Sequence, residues 1–284
     1  EVANLLGHTS TTDYVDFSNG LLALVVFKLE PTSPLIGRSL ADLAADGSIS
    51  EFRVVAITRG TQTIIPSGQN EFFEGDTVYV IARKDVAHGV TELSGQKSVE
   101  VKNLMILGGY PIGEMVARQM AKELDSVKLI EMNKEKCLDL SEKLPGNVIV
   151  VNGDGRNSDM LIEESIKDFD AFVAVTNSSE TNILACVAAK SLGIARTIAE
   201  VENLEYIRLA ESMGVDAVIN KKLITAGRIF KFTLSNKVRF IKYMSGTNAE
   251  VLEYIVAPDT AITKKPLKDM NFPKNAIIGG VIRG

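Results

Sequence analysis

Val101-Lys102-Asn103-Leu104-Met105-Ile106-Leu107-Gly108-Gly109-Tyr110-Pro111-Ile112-Gly113 reads as an apolar strand running into a glycine turn that opens a helix. The first amides of a helix have no partner inside it, and a pyrophosphate at the strand tip suits them. Glu131 closes the next strand, 18 residues after Gly113, about where a carboxylate accepts hydrogen bonds from a ribose. Gly153-Asp154-Gly155 closes the strand after that. One position departs from the dinucleotide fingerprint, which asks for glycine at 108, 110 and 113: residue 110 is Tyr. The middle glycine lets backbone and phosphate approach closely, so a side chain there changes the site or closes it. The other reading of these glycines is that they serve helix–sheet packing alone.

Outward from this stretch, strands and helices alternate from about residue 100 to 220. Apolar strands end near Leu107, Met132, Val151, Val175, Val201 and Ile219. Helical patterns lie between them, such as 112–124, where Ile112, Val116, Met120 and Leu124 share one face. This alternation predicts an α/β fold with a doubly wound parallel sheet of the Rossmann type. A ligand crevice in such a sheet lies outside the carboxyl ends of the strands. The candidate nucleotide-binding set is therefore Gly108, Gly109, Tyr110, Ile112, Gly113, Glu131, Asp154, Gly155, Thr176 and Asn177. A helix over about 221–235 leads out of the sheet.

The 284 residues suit two domains. Lys and Arg total 31 against 36 Asp and Glu, a net charge of −5, which argues against a nucleic-acid partner. Cys137 and Cys186 both fall in helical patterns and read as small core residues, which excludes a disulfide framework and fits a reducing cytosol. Apolar runs such as Leu21–Phe27 are far shorter than the 18 or so residues of a membrane span. The sequence opens on Glu1, shows no signal peptide, and is expected to be an internal piece of something longer.

Residues 1–12 read as a linker or the end of a preceding element. From 13 to 95 the pattern is β-rich: an apolar strand at Leu21–Leu29, a short helix at Ser39–Ala45, and a hairpin of Phe52–Thr58 and Thr61–Ile65 about Arg59-Gly60. Thr77–Ala82 follows the turn Glu74-Gly75-Asp76. The tail repeats this head. Pro31 to Leu43 matches Pro258 to Met270 at a constant offset, and Val55–Gly60 matches Ile278–Gly284 in character. The second copy stops at the hairpin turn, so its edge groups need a partner. The last 45 residues are expected to be the least ordered or to lean on a neighbouring chain.

These stretches resemble a known family. Asn152-Gly153-Asp154-Gly155, Ala174-Val175-Thr176-Asn177-Ser178-Ser179-Glu180-Thr181-Asn182-Ile183 and Met213-Gly214-Val215-Asp216-Ala217-Val218-Ile219 are similar to the N units of TrkA-type (RCK/KTN) regulators of potassium uptake. Pro34-Leu35-Ile36-Gly37 and Glu74-Gly75-Asp76-Thr77-Val78-Tyr79-Val80 are similar to their C units. The resemblance implies a C-type (TrkA-C) unit with its linker over 1–97 and a Rossmann-like N-type unit over 98–222. A crossover helix over 223–237 and a truncated second C-type unit over 238–284 complete it.

The resemblance further implies a non-enzymatic gating subunit, cytoplasmic and peripheral to the inner face of the membrane, partnered with a membrane potassium transporter. It implies a nucleotide ligand, NAD or NADH or else ATP or ADP, and self-association through C units and crossover helix into a dimer or larger ring. Gly108, Gly109 and Gly113 would line the phosphates, Glu131 the ribose, and Asp154 and Thr176 the adenosine side.

Plainer readings stand beside these. Asp154 between its glycines is also a helix cap, Glu131 a surface carboxylate, and Thr176–Ser179 a set of N-caps. His8 and His88 are the only histidines, and both are expected outside the nucleotide domain. Lys221 and Lys222 read as surface or interface charges, and no cluster has metal-ligand spacing. The exit helix, with Leu223, Ile224, Gly227, Phe230, Phe232 and Leu234, is apolar on more than one side and is expected to meet a partner domain. Two competing functions remain open here: an NAD-dependent oxidoreductase, and a degenerate scaffold in which Tyr110 closes the site.

Overall fold

The computed structural model describes residues 1–233, 238–244, 249–273 and 275–283, with side chains of 231–233 left aside. The chain divides into two units, residues 1–12 with 98–221, and residues 13–97 with 222–284. The opening segment, read from sequence as a linker or an element's end, forms the short helix α1 (Val2–Gly7). It groups with the later sheet, and not with the β unit that directly follows it.

The β unit is a five-stranded antiparallel sheet in the order β1-β2-β5-β3-β4. Its strands are β1 (Asp13–Phe17), β2 (Leu22–Lys28), β3 (Phe52–Arg59), β4 (Gln62–Ile64) and β5 (Thr77–Arg83). Helix α2 (Leu40–Ala45) starts at a capping box, where Ser39 Oγ accepts the Asp42 amide at 3.1 Å and Asp42 accepts the Ser39 amide at 3.2 Å. Helix α3 (Lys84–Glu92) does not appear in the sequence reading, although Ala87, Val90 and Thr91 mark its buried stripe. His88 lies on its exposed side, as a surface residue.

Both faces of this sheet are covered, which is why β2 and β5 read as nearly unbroken apolar runs. Val25, Phe27, Val78 and Val80 meet the α2 and α3 residues Leu43, Ala87 and Val90 on one face. Phe17, Leu24, Val26, Tyr79 and Ile81 form the other.

The second sheet is parallel throughout, with six strands. These are β6 (Asn103–Leu107), β7 (Ser126–Glu131), β8 (Val148–Asn152), β9 (Ala171–Ala174), β10 (Arg196–Glu200) and β11 (Ala217–Ile219). Their order, β11-β10-β9-β6-β7-β8, places the first strand at the centre and reverses direction there. That is the doubly wound Rossmann order, with its switch point between β6 and β9. Helices α4 (Pro111–Met120), α5 (Lys134–Lys143), α6 (Ser158–Glu163), α7 (Ser179–Ser191) and α8 (Leu204–Ser212) connect the strands. Leu104, Met105, Ile106, Phe172 and Ile198 are wholly buried, as central parallel strands covered on both faces must be. Helix α1 packs against α4.

Helix α9 (Lys221–Thr233) leaves the sheet, and β12 (Val238–Tyr243) and β13 (Glu250–Tyr254) follow as an antiparallel pair. Leu234 lies outside the described residues. Gly227 of α9 sits against the strand β12, where a Cβ would come 3.3 Å from the Ile241 carbonyl oxygen. Phe230 meets Tyr243 edge to face at 6.2 Å between centroids, while Ile229 and Phe230 keep large exposed areas.

The tail packs on the first β unit of its own chain. Phe17 and Phe240 stack edge to face at 4.8 Å, Lys242 pairs with Asp13 at 3.0 Å, and Ser18 donates to Glu253 at 2.6 Å. The expected second copy of the Val55–Gly60 strand does not form: residues 275–283 carry no strand. In the first copy that strand is laddered to β5 and β4. Instead Ile277 joins the apolar cluster on the face of the first sheet opposite α2 and α3, and Gly279 lies so close to Ile81 that a Cβ would come within 2.8 Å of it.

Candidate functional site

Four strand-to-helix junctions carry the candidate residues, all at the carboxyl edge of the parallel sheet. Gly108 has φ +105°, a conformation that favours glycine, and a Cβ there would meet the Thr176 amide at 2.9 Å. Gly113 lies under the Gly108 carbonyl so closely that any Cβ would overlap it. These two glycines are required by the crossing of β6, β9 and α4. Gly155 is pressed against Leu107 in the same way, with a notional Cβ 2.5 Å from a leucine methyl.

Glu131, at the end of β7, is only 7% exposed. Its Oε2 accepts the Gly109 amide at 2.8 Å and its Oε1 accepts the Asn133 amide at 2.9 Å. The surface-carboxylate reading is thereby overturned. The side chain fastens the glycine turn to the loop after β7, and each oxygen keeps a further lone pair for a ligand hydroxyl.

Tyr110 is the N-cap of α4 with φ −67°, an ordinary backbone, so no conformational demand for glycine exists at this position. Its ring is 39% exposed and carries the Lys136 ammonium 3.3 Å from its centroid. Pro111 follows as the first helical residue, where its fixed φ suits the helix start. Ile112 is half-buried beyond it.

Asp154 does not cap α6; Asn157 does, accepting the Asp159 amide at 2.9 Å. The Asp154 carboxylate grips the Arg156 guanidinium at 2.6 to 3.1 Å, and that hydrogen bonding holds its carboxyl below the usual range. At the tip of β9, Ser178 takes the N-cap role by accepting the Thr181 amide at 3.1 Å, as the capping reading expects. Asn177 stands exposed between Thr176 and that cap.

Two polar groups of this edge are missed in the sequence reading. Asn182, 1% exposed on α7, accepts the Thr176 amide at 2.9 Å and its hydroxyl at 2.6 Å, and donates to the Glu200 carbonyl at 2.9 Å. It fixes the β9 tip to the β10 tip. The signal is a polar residue on a helix face otherwise made of Ile183, Ala185, Cys186 and Ala189. The second is the buried Glu200, whose carboxylate meets the Lys221 ammonium at 3.0 Å, with Glu202 close on the same ammonium. Glu202 and then Glu200 raise the Lys221 pKa, so this lysine is a charged strut.

Neither cysteine is an activated nucleophile. Burial pushes both the Cys137 and the Cys186 thiols up, away from thiolate character. His8, expected outside the nucleotide domain, groups with the parallel sheet. Its segment lies at the opposite edge, where Thr9 bonds Val99 ahead of β6 and Arg196 at the start of β10 bonds Thr11. Among the described residues no three His, Cys, Asp or Glu side chains converge as metal ligands. The β unit has a cavity of about 500 Å³ lined by Leu40, Phe52, Arg53, Ser67 and Ile277.

Comparisons with known proteins bear on both units. Residues 104–221 match the TrkA-N domain and residues 24–95 the TrkA-C domain. The whole chain is 32% identical to Trk system potassium uptake protein TrkA homolog 1 of Methanosarcina mazei and 33% identical to the TrkA homolog of Archaeoglobus fulgidus. It spans 63% of the length of each of these relatives. Among solved structures, the GsuK channel shares the fold with a TM-score of 0.53 at 17% identity, over 81% of this chain and 41% of that one.

Proposed function

The chain belongs to the TrkA family, and from that premise we propose that it is part of a cytosolic nucleotide-binding regulator of a potassium uptake transporter or channel. The observation that supports this reading most is the convergence at one sheet edge of Gly108 against Thr176, Gly109 bonded to Glu131, and Gly155 against Leu107 at the end of β6. In the proposal the glycine turn and Ile112 of α4 take phosphate, Glu131 the ribose, and Asp154, Thr176 and Asn177 the adenosine side, with Tyr110 at the mouth.

The ligand is an adenine nucleotide. Family resemblance favours NAD or NADH, with ATP or ADP as alternatives, and a GsuK channel sharing this fold has been solved bound to NAD. The chemistry is binding with no bond broken. A nucleotide held better in one arrangement of the assembly shifts its population, and only by that difference in affinity.

The division into a C-type unit, an N-type unit, a crossover helix and a partial second C-type unit belongs to the same proposal. So do association with a membrane transporter subunit, self-association through the C-type units and α9, and a place at the inner face of the membrane. No described helix is long and apolar enough to cross that membrane itself.

Titration calorimetry of the chain with AMP, ADP, ATP, NAD and NADH tests the reading. Heat with at least one of them, weakened in Asp154→Ala, is expected; silence for all five overturns it. Turnover of NAD with a panel of alcohols and hydroxy acids would replace it with an oxidoreductase.

A further inference from the structure

We infer that Tyr110 and Pro111 make this site select against ligands with a diphosphate, in favour of adenosine and its monophosphate. The inference rests on the nucleotide reading above and departs from its NAD, NADH, ATP and ADP candidates, all of which carry at least two linked phosphoryl groups.

A diphosphate at a helix start needs a row of free amides. The turn Gly108–Gly113 has few to offer. The Gly108 amide donates to the Ile130 carbonyl at 2.9 Å, and the Gly109 amide to Glu131 at 2.8 Å. Pro111 has no N–H at the first helical position, where the orphan donors of a helix begin. The amides of Tyr110, Ile112 and Gly113 remain, and Gly113 is buried beneath the Gly108 carbonyl.

Charge and bulk act in the same direction. The Glu131 carboxylate sits against the turn itself and opposes a second negative group there. The Tyr110 ring, at the position where the fingerprint has glycine, is held by the Lys136 ammonium at 3.3 Å from its centroid. Two phosphoryl groups would thus meet a missing donor, a carboxylate and a ring in place of a glycine cradle. A nucleoside places no phosphoryl group on the turn, so it needs none of the missing donors, and its hydroxyls can use the remaining lone pairs of Glu131. A single phosphate still has the Lys136 ammonium, which the first turn of α5 places over the Tyr110 ring.

Calorimetric titration of AMP and NADH decides it, on the wild-type chain, Pro111→Ala, Tyr110→Gly and the double variant, each checked for folding by thermal unfolding. The wild-type chain is expected to bind AMP at least about tenfold more tightly than NADH. The double variant is expected to gain about tenfold or more for NADH while AMP changes by less than about threefold. Equal wild-type affinities, or AMP binding with no NADH gain in the variants, overturn the selectivity and leave the nucleotide reading intact. No binding of either ligand by any of the four proteins overturns both. Pro111→Ala places a strong helix former at the first helical position and carries the test alone if Tyr110→Gly does not fold.

Discussion

Glu131 holds Gly109: its Oε2 accepts the glycine amide at 2.8 Å from a side chain that is 7% exposed, while Oε1 accepts the Asn133 amide. One carboxylate therefore joins the turn after β6 to the turn after β7. The residue that a nucleotide would address through its ribose also shapes the loop that would take its phosphate.

Removing that carboxylate exposes both roles. Glu131→Ala leaves the two amides without acceptors and is expected to lower stability by about 2–5 kcal/mol in urea unfolding. Glu131→Gln keeps one acceptor and should fall between alanine and wild type. A loss under about 0.5 kcal/mol for alanine, the mark of an ordinary surface residue, would show that the carboxylate does not hold the turn.

Asn182 gives a second test at the neighbouring strand tips. Its Oδ1 accepts the Thr176 amide and hydroxyl, and its Nδ2 donates to the Thr176 and Glu200 carbonyls at 3.1 and 2.9 Å. Asn182→Asp matches it in size but turns a carboxylate oxygen onto two carbonyls in a site 1% exposed. Aspartate is therefore expected to destabilise more than alanine, by about 1 kcal/mol or more. Thermal unfolding of both variants decides the order, and an aspartate variant equal to wild type would refute the latch.

The parallel sheet was legible because buried strands and glycine turns leave short-range marks. The expected strand ends at Leu107, Met132, Val151, Val175, Val201 and Ile219 lie within a residue of the observed ends. The short helix expected at Ser39–Ala45 also forms, as α2 (Leu40–Ala45). What was not legible depends on distant partners. The sequence around Ile278–Gly280 has strand character, yet a strand forms only against a ladder, and here the segment lies on Ile81 and Leu22 instead. Glu200 looks ordinary along the chain, and Asn182 shows only as a polar residue on an apolar helix face, because the groups they bond come from other strand tips. For Tyr110, the sequence marked a departure from glycine; the Lys136 ammonium across its ring is visible only in three dimensions.

Arg196 explains why residues 1–12 group with the parallel sheet. Its guanidinium, 1% exposed, donates to the Thr11 carbonyl at 2.6 Å and the Leu5 carbonyl at 3.3 Å, and burial pushes its pKa down to about 10. It clamps the end of α1 to the start of β10. Arg196→Met is expected to raise amide exchange in residues 5–12 by about tenfold or more, while the exchange of β6 and β9 amides stays slow. Unchanged protection of the segment by hydrogen-exchange mass spectrometry would mean that α1 is held by Val2, Leu5 and Leu6 alone.

Tyr14 links stability to alkaline pH. Burial, with the Asp16 carboxylate as a smaller cause, pushes its phenol up to about 12, against 10 for an exposed tyrosine. Between these values the unfolded chain releases the phenol proton and the native chain retains it. The native state then binds more protons, so stability falls as pH rises. The contribution is whole below pH 10 and declines by about 1.4 kcal/mol per pH unit towards pH 12. Tyr14→Phe has no proton to lose at this position. The stability difference between wild type and Tyr14→Phe, measured by urea unfolding, should be flat from pH 7 to 9.5 and move against the wild type above about pH 10. A flat difference up to pH 12 would place the phenol in contact with water and contradict its burial in the core of the β unit.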